Sequence, residues 1–262
     1  MDVVQNESDL TKEWLARQGD IARRVVKEDR NGFATFFSDT CFSPARDLFI
    51  AGADVSFSTR VPDHAIGTFT VVILRKSGSL DLVYSRSKTV SMPHPYIPTF
   101  LGFREAPVVS AMLAALPAIV RNRIDCVLLD GNGLLHPRKA GLACHVGVDE
   151  NLPTIGVSKS LLCVDGLVEK EVRESAAAHG AEGVNVIGAS GTLWGRALLT
   201  GNAKVKPIYV SIGNRVSLNT ASYLVQKVCH YRIPEPIRMA DLHSRALLRG
   251  EDEFIYKEEA FL

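Results

Sequence analysis

Three apolar runs between residues 48 and 90 constrain this chain more than any other feature. They read LFIAGADVSF (48–57), AIGTFTVVILR (65–75) and SLDLVYSRSKTV (79–90), separated only by STRVPDH and KSG. β-Branched and aromatic residues are frequent in them, which suits a pleated, half-buried surface. Links this short cannot hold the crossover that parallel neighbours need. The runs are therefore expected to pair in order as an antiparallel meander. Beyond them the pattern changes. A helical pattern begins near Arg104, with Val108, Met112 and Leu116 four apart, Pro107 in its first turn and Pro117 as its stop. CVLLDG (126–131) and TIGVSK (154–159) are short apolar runs of the buried, parallel type. VNVIGAS, WGRALLT and KPIYVSIG read as further strands, and helices are expected over about 9–29, 217–230 and 234–250.

Three antiparallel strands followed by α-β-α-β units make a mixed α/β sheet flanked by helices, in the strand order of the ribonuclease H-like fold. The 262 residues, 46% hydrophobic and 23% charged, supply one large core. One domain over 1–250 is expected, followed by an acidic, unstructured tail, EDEFIYKEEAFL (251–262). A net charge of +1 announces no strongly basic surface, so any polyanion site must come from local clustering. Five scattered cysteines without CxxC argue against a disulfide framework or a zinc ribbon and suit a reducing compartment. The polar start MDVVQNESDL and the shortness of the apolar runs point away from a signal peptide and a membrane. A cytoplasmic monomer is expected, with the nucleus or nucleolus as the alternative compartment.

Three acids stand out. Asp54 lies inside an apolar strand, Asp130 ends CVLLD just before GNG, and Glu105 begins a helix. A buried carboxylate is costly unless protonated, paired or metal-bound. Each acid alone has a bland account, hydrogen bonding to nearby backbone. As a set in this topology they suit a hard cation, Mg²⁺ or Mn²⁺, held by carboxylate oxygens. The glycines around Asn132 in DGNG allow positive φ and close approach of backbone to a ligand. HPRKAG adds His136, Arg138 and Lys139 at the same strand end, and GVSK adds Lys159, placed to meet phosphate charge. Ahead of Glu105, PHPYIPTFLGFRE (93–105) holds Tyr96 on an arm stiffened by Pro95 and Pro98.

GADVSF, PYIPTFLGFRE, LLDGNGLLHPRKAG, PTIGVSKSLL and RIPEPIRMAD occur in an order that resembles the endonuclease V family, over roughly 45–249. The resemblance implies a nuclease that hydrolyses the second phosphodiester bond 3′ to inosine, using Mg²⁺ with Mn²⁺ able to substitute. It implies Asp54, Glu105 and Asp130 as catalytic metal-binding carboxylates, Lys159 as a helper and Asp241 as a further active-site acid. It implies Tyr96, with Pro95 and Pro98, as a wedge that stacks beside an extracted base. Gly131, Gly133, His136, Gly141 and Leu142 are then the pocket that receives hypoxanthine. DGNG, ACHVGV and LLCVDGL resemble the animal-type branch, which implies inosine-containing single-stranded RNA as the preferred partner, with deoxyinosine DNA as an alternative.

One position departs from the family pattern. Relatives often carry a histidine near the metal where YVSIGNRVSL places Asn214, and asparagine cannot shuttle a proton at neutral pH. A second reading is thus an inosine-RNA binding protein with weak or no catalysis. A third is another ribonuclease H-like nuclease that cuts by nucleic-acid structure, independently of inosine.

Overall fold

The meander forms as its short links require. In the computed structural model, which describes residues 2–30, 37–38, 41–42, 46–58, 64–92, 94–203, 205–251 and 254–262, helix α1 (Asp2–Arg24) comes first. A small antiparallel pair follows, β1 (Phe37–Ser38) with β2 (Cys41–Phe42). Next come β3 (Leu48–Phe57), β4 (Ala65–Leu74) and β5 (Leu80–Val90), paired antiparallel. Helices α2 (Leu101–Ala114) and α3 (Ala118–Arg121) lead to β6 (Cys126–Asp130), α4 (Leu142–Asp149) and β7 (Thr154–Ser158). Then follow α5 (Glu169–His179), β8 (Val184–Ile187), β9 (Leu193–Leu198) and β10 (Ile208–Asn214). Helices α6 (Leu218–Lys227) and α7 (Glu235–Leu248) and strand β11 (Ile255–Tyr256) complete the chain. Residues 31–36, 39–40 and 43–45, the centre of the STRVPDH link and Pro93 of the arm lie outside the described residues.

The main sheet runs β11-β5-β4-β3-β6-β7-β10-β9-β8. Strand β3 pairs parallel with β6, and β6 parallel with β7, so the ribonuclease H-like order is present at its centre. Alternation along β3 divides the core. Leu48 and Ile50 face α6 and α7, packing with Leu224, Val225 and Ile237. Phe49, Ala51 and Ala53 face α2 and α4, packing with Val109, Leu113 and Val146. No helix among the described residues is long and apolar enough to cross a membrane.

Two expectations change and one helix is added. Helix α2 starts at Leu101, so Pro107 sits inside it rather than in its first turn. Helix α5 carries almost no apolar stripe, with Ala176 its one buried residue, so periodicity could not announce it; Glu169 and Glu171 in its first turn and His179 in its last favour it instead. The expected tail is an ordered edge. Ile255 and Tyr256 pair with Ser85 and Tyr84 on β5, and Phe261 is 1% exposed against Phe49. Arg123 donates to the carbonyls of Phe261 and Leu262, so packing overrides the acidic composition.

Candidate active site

Parallel register sets two acids side by side. Ala53 is opposite Leu129, so the next residues, Asp54 and Asp130, stand together at the carboxyl ends of β3 and β6. Both follow residues of the α2 face and therefore project toward α7. Glu105 comes from the other layer, on the second turn of α2. With Leu101, Val109 and Leu142 the three acids line a cavity of about 240 Å³.

Helix α7 reaches this edge because Gly52 lets it lie flush on the sheet. A Cβ there would stand 2.4 Å from the Pro236 carbonyl carbon. Thr70 Oγ1 donates to the same residue's oxygen at 2.7 Å. About one and a half turns later α7 presents Asp241, and nearly one turn beyond it Ser244. The hydroxyls of Ser56 and Ser244 stand 3.1 and 3.2 Å from Asp54 Oδ2. Neither serine was singled out from sequence. Ser56 was findable, two residues after Asp54 on the same face of a strand; Ser244 comes from a distant helix. Asp241 Oδ1 accepts from Arg245 Nε at 2.8 Å.

The electrostatics are those of crowded negative charge. Burial, then the charges of Asp130 and Asp241, push the Asp54 carboxyl up to about 6. Burial, then Asp54 and Asp130, push Glu105 up to about 8. Lys159, just past β7, donates to Asp130 Oδ2 at 2.5 Å. Burial lowers its ammonium, but Asp130, Asp54 and Asp241 together outweigh this and hold it above its ordinary value. The oxygen-only donor set and its uncompensated charge fit a hard divalent cation. Among the described residues no three such donors already stand at the spacing of one ion's shell. Lys159 occupies one Asp130 oxygen instead.

Two further cavities flank the acids. Tyr96, Thr99, Asp130, Gly131, Leu142 and Lys159 are among the residues lining one of about 360 Å³. Asp54, Ser56, Lys159, Asp241, Arg245 and Arg249 are among those lining another of about 670 Å³. Lys159 borders both, so the two adjoin beside the carboxylates.

The sequence profile of Endonuclease V matches residues 39–242. The chain belongs to the Endonuclease V family. It is 37% identical over 240 residues to Endonuclease V of Mus musculus, covering 90% of this chain and 69% of that protein. It is 36% identical to Endonuclease V of Homo sapiens, covering 90% of this chain and 82% of that protein. The crystal structure of the human enzyme superposes with a TM-score of 0.80 at 34% identity, over 91% of this chain and 98% of that one. Endonuclease V of Ciona intestinalis, in complex with a 24mer DNA containing an inosine followed by a ribo-adenosine, superposes with a TM-score of 0.81. That match is 31% identical and covers 92% of this chain and 99% of that one.

Within this Endonuclease V fold most of the expected residues converge. Tyr96 is 61% exposed on its arm, between the exposed Pro95 and Pro98. Gly131, His136, Gly141 and Leu142 line the cavity beside it. His136 presents neither ring nitrogen to a ligand. Its Nδ1 accepts from the Arg138 backbone N–H at 3.2 Å, so Nε2 carries the proton and donates to the Thr99 carbonyl at 2.9 Å. Burial holds its imidazole down at about 4, hence neutral.

The glycines act differently from the expectation. None of Gly131, Gly133 and Gly141 has positive φ. Gly133 lies outside the lining, and a Cβ there would stand 2.1 Å from the Ile212 carbonyl oxygen. It seats the loop on β10, with its N–H donating to Ser211 Oγ at 2.8 Å.

Asn214 does not belong to the site. It pairs with Thr154, at the opposite end of β7 from Lys159. The antiparallel course of β10 carries it away from the acids. Its Oδ1 accepts from the Val26 N–H at 2.9 Å and its Nδ2 donates to the Gly147 carbonyl at 2.7 Å. This asparagine ties the end of α1 to α4 and gives no reason to expect weak catalysis. Asn214→His should cost about 1–3 kcal/mol of stability, since it strands buried partners, and should not raise the cleavage rate. Denaturant titration beside a cleavage assay measures both.

Proposed function

We propose that this nuclease cuts the second phosphodiester bond 3′ to inosine, preferring single-stranded RNA over DNA, with Mg²⁺ or Mn²⁺. The supporting observation is that Asp54 lines one of two adjoining cavities and Asp130 the other, with Lys159 lining both. The cavity beneath Tyr96 takes the extracted base. The one running past Asp241 to Arg245 and Arg249 takes the strand beyond it. Base recognition and bond cleavage are thereby offset along the strand.

Each residue has a task. Asp54, Glu105 and Asp130 would hold the divalent ion, which when bound activates water and stabilises charge on the phosphodiester. Asp54 is aimed by Ser56 and Ser244. Lys159 keeps its proton beside Asp130 and so offers positive charge at the place where the departing oxygen gains negative charge. Tyr96 supplies a ring face for the base left behind, and inosine's weak pairing makes its own extraction cheaper.

A panel of matched inosine and adenosine strands, each as RNA and DNA, with Mg²⁺, Mn²⁺ or chelator, tests the reading. Product from inosine RNA alone, and only with a divalent ion, is expected; equal cutting of the adenosine strands would end the claim of base specificity. In the same assay Tyr96→Ala should weaken substrate binding by about 1–3 kcal/mol, the worth of one stacked base, while Mn²⁺ affinity stays unchanged.

A further inference from the structure

Thr99 is a β-branched residue with φ of 68°, a left-handed conformation that such side chains avoid. Strain of this kind persists only where the surroundings over-determine it. The Thr99 carbonyl accepts from three side chains, Gln18 Nε2 at 3.0 Å, His136 Nε2 at 2.9 Å and Arg138 Nη2 at 2.8 Å. Its hydroxyl accepts from Arg138 Nη2 at 2.6 Å. Gln18 is fully buried, its Oε1 accepts from Arg138 Nε, and its Nε2 also lies 3.3 Å from the Ala140 carbonyl. The Arg138 guanidinium rests 4.4 Å over the Phe100 ring.

These contacts join α1, the Tyr96 arm and the loop that lines the base cavity. Helix α1 also holds the other end of the arm. Trp14, one turn before Gln18, stands edge-on to His94 at 4.9 Å and stacks on Phe103 at 4.6 Å. Tyr96 is thus suspended between two points fixed from α1, with Pro95 and Pro98 restricting the chain between them. Neither Gln18 nor Arg138 lines the cavity; Thr99 and His136 do.

We propose that Gln18 and Arg138 are positioning residues for base discrimination, acting through Thr99 to set Tyr96 against the cavity. This rests on the inosine reading above. With the clamp released, the ring samples heights at which it no longer fills the gap left by an extracted base. A misplacement of about 1 Å is enough to cost about 10²-fold.

Gln18→Met keeps the volume and removes both polar atoms. Gln18→Glu keeps the oxygen facing Arg138 but loses the donor to Thr99. Both should lower the ratio of inosine to adenosine cleavage by about 10- to 100-fold. Both should also reduce the fluorescence rise of a 2-aminopurine placed 3′ to inosine under non-cleaving conditions, with Mn²⁺ affinity unchanged. Arg138→Lys, at a half-buried position, retains one donor, should give an intermediate ratio, and serves if the Gln18 variants fail to fold. A wild-type enzyme with no inosine preference overturns the base reading itself. A selective wild type whose folded variants keep both the ratio and the fluorescence rise overturns the clamp. So does an equal fall on both substrates accompanied by weaker Mn²⁺ binding, since that is a structural loss.

Discussion

Exchanging Asp54 for asparagine is expected to slow cleavage by about 10²- to 10³-fold, the equivalent of several kcal/mol of lost charge stabilisation, and yet to raise the melting temperature at pH 7. The side chain keeps its shape and can still accept from Ser56 and Ser244. What it loses is the charge that would share a divalent ion with Glu105 and Asp130. The gain in stability follows from the same charge. Burial, Asp130 and Asp241 raise this carboxyl to about 6 from an ordinary value of 3.8. The folded protein therefore binds a proton more tightly than the unfolded chain, and its stability falls as pH rises through that interval. At pH 7 the ionised group costs up to about 3 kcal/mol, which asparagine relieves. Melting curves and a gel cleavage assay on one preparation decide both halves. Near-normal turnover would remove Asp54 from the reaction, and a lower melting temperature would refute the electrostatic account.

Glu105 should make binding of a divalent ion release protons. Burial first, then Asp54 and Asp130, raise it to about 8, so at pH 7 about nine-tenths of it is protonated before an ion binds. About one proton per ion should therefore appear at pH 7 and almost none at pH 9, with affinity rising about tenfold per unit between pH 6 and 8. The ion-free protein should lose stability across the same range, because its folded-state carboxyl lies above the unfolded one. Added Mn²⁺ should restore that stability. Calorimetry in two buffers of different ionisation enthalpy counts the protons. Glu105→Gln should remove most of the release at pH 7 and the slope between pH 7 and 8, leaving only the contribution of Asp54 below pH 7; an undiminished release at pH 7 would assign the proton to another group.

Much of the site was legible because its signals are local. Acids at the ends of apolar strands, a tyrosine between prolines and a Gly-Asn-Gly turn stand out in a linear chain. Asn214 misled because position after a strand says nothing of which end of the sheet that strand finishes on; β10 runs antiparallel to β7, and its end lies with Val26 and Gly147. The glycines misled for a related reason. Sequence shows that a Cβ is absent, whereas the Ile212 carbonyl that forbids it at Gly133 belongs to another strand.

By itself the sequence determined the meander, the parallel strands after it, the carboxylates at their ends and the stiff arm carrying Tyr96. Each follows from the spacing of residues close in the chain, where steric preference and the short reach of a link decide the outcome. Only the tertiary structure decided that Ser244 stands beside Asp54, that Asn214 stands apart, that Phe261 closes the core, and that Thr99 is clamped from α1. Those depend on which distant segments share one face or one carbonyl. Hydrogen bonds and packing contacts act over a few ångströms in space, regardless of separation along the chain.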